Sequence, residues 1–163
     1  MAALRSLSRP IPEDAMAAYD PDNVFAKILR GELPSHKVYE DAATLAIMDV
    51  MPRGDGHVLV IPKAPSRNVL EMEPGDLGPL FAAVQKVALG VKTAMKAEGV
   101  TIQQFNESAG GQVVFHTHVH VLPRWSDVPL RPHTGEMADQ KALAAQAATI
   151  RAAFAEDGPS TER

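Results

Sequence analysis

His116-Thr117-His118-Val119-His120 decides how the rest of this chain is read, because three of its six histidines fall within five residues and alternate with the β-branched Thr117 and Val119. Successive side chains of an extended strand point to opposite faces, so this spacing predicts three imidazoles on one side of a sheet. Val113, Val114, Phe115 and Val121 around the row favour the same extended backbone. Gly110-Gly111-Gln112 precedes it and Leu122-Pro123-Arg124 follows it. A turn rich in backbone amides thus leads into the strand and a cation leaves it, a combination suited to a phosphate group.

Working outward, residues 113–123 and 100–106 read as two strands joined by a loop over 107–112. Before them, Leu77, Leu80, Phe81, Val84, Val87, Ala88, Val91 and Met95 recur at helical intervals, with Lys86, Lys92 and Lys96 left to solvent. That pattern predicts an amphipathic helix over 76–98. Pro79 suits it only in the first turn, and Gly99 is placed to end it. Residues 35–40, 44–50 and 57–61 are short apolar or alternating runs split by Asp41-Ala42 and by Pro52-Arg53-Gly54-Asp55-Gly56, as in an antiparallel meander. Asp20-Pro21-Asp22-Asn23 offers caps for a short helix carrying Val24, Phe25, Ile28 and Leu29, which Gly31 and Pro34 bring to an end. A Pro-rich stretch over 123–132 leads to an alanine-rich helix over 139–154. The expected class is α+β, an antiparallel sheet of about five strands with the long helix packed on it and a further C-terminal helix. Residues 1–20 read as a mobile tail, 21–126 as the domain, and 127–163 as the Pro-rich segment and last helix.

A length of 163 residues with 45% hydrophobic residues suits one globular domain. The net charge of −4 argues against broad electrostatic binding to nucleic acid. The absence of cysteine excludes disulfides and thiolate metal sites. No apolar run reaches the roughly 20 residues a spanning helix needs, and the N-terminus lacks a signal-peptide core, so no membrane contact and a cytoplasmic location are expected.

The row from His116 to Leu122 resembles the signature of the histidine triad family. Lys27-Ile28-Leu29-Arg30-Gly31-Glu32-Leu33-Pro34, Val38-Tyr39-Glu40-Asp41, Asp49 and Gly56-His57-Val58-Leu59-Val60-Ile61-Pro62-Lys63 resemble its Hint-like branch in order and spacing. The resemblance runs from about residue 23 to 124, and Leu130-Arg131-Pro132-His133 is similar to bacterial members with an extra C-terminal helix. It implies a homodimer acting as a hydrolase or transferase on purine nucleotide conjugates. On this reading His118 attacks the α-phosphorus to form a nucleotidyl-histidine, His116 and His120 hold the phosphoryl oxygens and the nucleophile, and His57 joins a relay to the leaving group. Gln112, Gly111 and Gly110 are then expected at the phosphate, Asp49 and Asn106 at the ribose, and Phe25, Ile28, Leu33, Ile47 and Val50 around the base.

Two departures from the family pattern stand out. Many bacterial relatives carry a Cys-x-x-Cys pair, used with histidines to hold a structural zinc, where this chain has Asn23-Val24-Phe25-Ala26, so no structural zinc is expected. Val113 stands where relatives often place Ser or Thr to activate the leaving group. The covalent histidine mechanism requires no cofactor, although a divalent ion could accompany a polyphosphate substrate. The competing readings are a regulatory protein that binds a nucleotide without turnover and a histidine-rich metal protein. The metal reading is weakened because residues i and i+4 of a straight strand lie roughly 13 Å apart.

Overall fold

The computed structural model describes residues 18–132 and 135–156. Residues 1–17 of the tail expected over 1–20, and His133, lie outside the described residues. Five strands form one antiparallel sheet: β1 (Lys37–Glu40), β2 (Thr44–Met48), β3 (Val58–Pro62), β4 (Gly99–Gln103) and β5 (Val119–Arg124), in the order β1-β2-β3-β5-β4. Helix α1 (Val24–Leu29) lies before the sheet in sequence, α2 (Pro74–Ala94) between β3 and β4, and α3 (Gln140–Glu156) after β5. This is the expected α+β class with its C-terminal helix.

Strand alternation divides the interior in two. Ala46, Met48, Val58, Val60, Val119 and Val121 share one cluster with Leu80, Val84, Val87 and Val91 of α2 and with Leu143, Ala147 and Ile150 of α3. The intervening residues Leu45, Ile47, Leu59 and Ile61 form a second cluster with Phe25. The middle strands are therefore buried on both faces, which is why they read as almost continuous apolar runs. His120 pairs across from Leu59 on one side and Gln103 on the other, so it carries the parity of the smaller cluster and faces α1 rather than α2.

Several boundaries differ from those expected. The row of histidines is not all strand: β5 starts at Val119, and residues 114–116 form a bend, so only His120 of the three belongs to the ladder. Helix α2 begins at Pro74, which puts Pro79 in the second turn, where its missing N–H forgoes a bond to the Gly75 carbonyl. Gly99 opens β4 instead of ending the helix. The end is made by Lys96 at φ +51°, with Lys96 N–H donating to Thr93 O and Ala97 N–H to Lys92 O, a Schellman closure without glycine. At the start of α1 the expected cap is present, as Asn23 Oδ1 accepts from Ala26 N–H at 3.0 Å.

Candidate active site

Hydrogen bonds tie the bend before β5 to the end of β3 and the chain beyond it. His116 Nε2 meets Pro62 O at 2.9 Å, Thr117 N–H donates to Ser66 O at 2.8 Å, and Thr117 Oγ1 lies 2.6 Å from Ser66 Oγ. His118 then turns its Nδ1 back onto His116 O at 2.6 Å. A carbonyl only accepts, so Nδ1 carries the proton and His118 Nε2 holds a lone pair. His118 and His120 have ring centroids 5.1 Å apart and both line a cavity of about 240 Å³. The edge of Phe25 rests on His118 at 4.9 Å.

The same reasoning orders the neighbouring rings. Arg53 N–H donates to His57 Nδ1 at 3.1 Å, so neutral His57 has its proton on Nε2, 2.9 Å from His120 Nδ1 and 3.5 Å from Asp49 Oδ2. His120 Nδ1 accepts, which puts the His120 proton on Nε2. Fully buried His57 thus has one proton to give, and passing it on would leave an imidazolate. Its placement suits holding the tautomer of His120 better than the relay expected from the sequence. Asp49, His57 and His120 also bring three donor atoms within 4.8 Å of one another, enough to hold a metal ion. A metal on His57 Nε2 would force the proton onto Nδ1 against the Arg53 N–H, so the hydrogen bonds fit protons here, not an ion.

Burial sets the charge state. Desolvation lowers the proton affinity of His116 and of His118, outweighing the Pro62 carbonyl in the first and the His116 carbonyl and Asp49 charge in the second. Both stay neutral into mildly acidic solution, which preserves the His118 lone pair. The unfolded chain takes up these protons near the ordinary value of about 6.5, while the folded chain does so only lower. Between those points the unfolded state binds more protons, so this share of stability is complete above about pH 7 and is lost as pH falls through that window. Thermal unfolding at pH 7.5, 6.5 and 5.5 should show a falling Tm, and His116→Gln should flatten the fall. An equally steep decline in that variant would assign it to other groups.

The remaining expected residues divide. Phe25, Ile28, Ile47, Val50 and Asp49 line the cavity, joined by Leu59 and Val114, which were not anticipated. Leu33 does not line it; it follows the left-handed turn at Gly31 and is 38% exposed. Asn106 is committed elsewhere, accepting from Val69 N–H and exchanging two bonds with Gln104. Gly110 lies in an exposed 3₁₀ turn. Gly111 sits at φ +93°, a conformation that side chains strain, and a Cβ there would press to 3.3 Å from Phe105, whose ring is 5.5 Å from that of His120.

Gln112 departs most from expectation. It is buried, its Oε1 accepts from Glu107 N–H and Asn68 Nδ2, and its Nε2 donates to Arg67 O and Val114 O. All of its side-chain hydrogen-bonding capacity is used in tying this loop to residues 67, 68 and 114, so it braces Glu107, which is held at φ 61° and ψ 163°, a region glycine prefers. Gln112→Ala should cost about 2 kcal/mol in urea unfolding, because buried partners are stranded. A phosphate contact would instead raise KM with the unfolding midpoint unchanged. Tyr19, placed in the tail by sequence, proves to be part of the site: its hydroxyl lies 2.7 Å from His116 Nδ1. Its one sequence signal was an aromatic residue directly before the Asp20-Pro21 cap, in a chain with two tyrosines.

The model of the HIT domain matches residues 30–127. Adenylylsulfatase HINT3 of Arabidopsis thaliana is 36% identical over 119 residues, 69% of this chain and 60% of that longer protein. Protein hit of Bacillus subtilis is 39% identical over 102 residues, covering 63% of this chain and 70% of its own length. Among solved structures, a Hit-like protein of Bartonella henselae described as involved in cell-cycle regulation superposes with a TM-score of 0.79 at 46% identity, over 83% of this chain and 99% of that one. A zinc-bound histidine triad family protein of Mycobacterium smegmatis gives 0.74 at 31% identity, over 83% and 94%. With the matched residues spanning the whole sheet and all three histidines of the row, the chain belongs to the HIT domain family.

Proposed function

We propose that this protein cleaves purine nucleotide conjugates at the α-phosphate through a nucleotidyl group on His118. The observation that carries the reading is the bond from His118 Nδ1 to His116 O, which leaves the Nε2 lone pair at the wall of the cavity. That nitrogen attacks phosphorus as the bond to the leaving amine, sulfate or phosphate breaks; His120 Nε2–H hydrogen-bonds the departing group, which takes its proton from solvent. Water then attacks the same phosphorus, losing its proton to solvent, as the P–N bond breaks and returns the lone pair to His118 Nε2, and the nucleoside monophosphate departs.

Asp49 meets the ribose hydroxyls, and the apolar walls around Phe25 and Ile47 take the base through contact area with weak discrimination. Among the described residues no Lys or Arg lines the cavity, which favours a substrate with one phosphoryl group in the pocket over a long polyphosphate. No resident metal is needed in this scheme; a divalent ion enters only with a polyphosphate. The homodimer remains part of the proposal, supported by edge strand β4 with its exposed Ile102 and by the exposed Phe81 and Leu89 of α2. No helix of the described residues is long and apolar enough to cross a membrane.

The test is chromatographic AMP release from adenosine 5′-phosphoramidate, adenylyl sulfate and diadenosine tetraphosphate. Release from one of the first two, with acid-labile label trapped on the protein during turnover, supports the mechanism. AMP binding without release from any of the three would favour a regulatory nucleotide-binding role.

A further inference from the structure

We propose that Tyr19 is a positioning residue, whose hydroxyl locks His116 and through it the tautomer of His118; this rests on the function proposed above. In the pattern the chain resembles, cysteines at 23 and 26 join histidines on a zinc ion. The residues here do not fit that ion. Asn23 spends Oδ1 on the Ala26 N–H and Nδ2 on the Asp20 carbonyl, and Ala26 has no donor atom. Yet α1 still lies beside the row, with Phe25 and His116 centroids 6.3 Å apart. Into this place the segment before α1 brings Tyr19, edge-on to His116 at a 5.6 Å centroid distance.

The proton assignments give the contact its direction. His116 Nε2 must carry its proton, since it faces the Pro62 carbonyl. Nδ1 is then an acceptor, and the Tyr19 hydroxyl donates to it at 2.7 Å. His116 is held at both ring nitrogens, on Pro62 from one side and on Tyr19 from the other. It sits in the bend before β5, outside the ladder that fixes His120. Its carbonyl receives His118 Nδ1–H at 2.6 Å, so any swing of His116 moves the group that keeps the His118 lone pair on Nε2. A hydroxyl thus does by hydrogen bonding what a metal does by coordination, without dependence on metal supply.

Tyr19→Phe keeps the ring and removes the hydroxyl. In the ligand-free full chain, nitrogen-15 NMR of the imidazoles should show His116 Nδ1 losing its hydrogen-bonded shift and His118 Nδ1–H giving way to a mixture of tautomers. In turnover, kcat should fall roughly tenfold, the rate equivalent of one lost hydrogen bond, with KM and AMP affinity unchanged. Unchanged imidazole spectra in Tyr19→Phe would overturn the proposal whatever the activity. Altered spectra with unaltered kcat would overturn it as well, reducing Tyr19 to a structural contact. If the wild type releases no nucleotide, the function proposed above fails separately, while the spectra still decide whether Tyr19 holds His116 and His118.

Discussion

Replacing His118 with alanine is expected to lower AMP release on the order of 10⁴-fold, about 5.5 kcal/mol of barrier, while AMP affinity changes only a few-fold. The size follows from chemistry that no neighbour can take over. His116 has both ring nitrogens engaged, Nε2 on Pro62 and Nδ1 on Tyr19, and neither lines the cavity. His120 lines the cavity, but with its proton on Nε2 it offers a hydrogen-bond donor there, not a nucleophile's lone pair. Binding should survive because most of the cavity wall is Phe25, Ile47, Leu59 and their neighbours, none of which depends on His118 for its place. The lost edge contact with Phe25 accounts for the few-fold change. Activity of the variant within tenfold of wild type would refute a covalent intermediate on this residue.

Much of this arrangement was legible in the sequence, and the parts that were not share a physical cause. Short, nearly continuous apolar runs identified β2, β3 and β5, because burial on two faces demands apolar residues at nearly every position. Strand reasoning also placed His116 and His118, although neither lies in a strand. The histidines come together because a bend anchored on Pro62 and Ser66 folds them onto the sheet end, and such anchoring joins residues 50 or more positions apart. The same distance hid the role of Gln112. The resemblance put it at the phosphate, yet its partners Arg67 and Asn68 come from the far side of α2 in sequence. Tyr19 was hidden for a related reason: a lone aromatic residue has no period, and only the fold brings it to His116. Tautomers were beyond any pattern, since each depends on which backbone group meets a ring nitrogen in space.

Leu143→Ala should destabilise the whole protein by about 3 kcal/mol, lowering Tm by roughly 6–12 °C in a single transition. The sequence alone makes α3 look like an appendage behind a Pro-rich linker. The packing argues otherwise: Leu143, Ala147 and Ile150, spaced as one helical stripe, are 1%, 0% and 0% exposed and complete the cluster formed by α2 and the sheet. Gly90 of α2 lets Phe154 approach so closely that a Cβ there would lie 2.5 Å from its ring. The helix also reaches the site's supports, as Gln146 Oε1 accepts from Gly56 N–H at 2.9 Å and Ala138 N–H donates to Val50 O just before it. Those bonds bracket the turn whose Arg53 N–H sets the tautomer of His57. Removing the Leu143 side chain leaves a cavity beneath α3 without touching a group at the site, so kcat measured well below Tm should stay within twofold of wild type. Two separate transitions, with α3 melting ahead of the sheet, would show that the helix is an accessory layer and that the sheet stands without it.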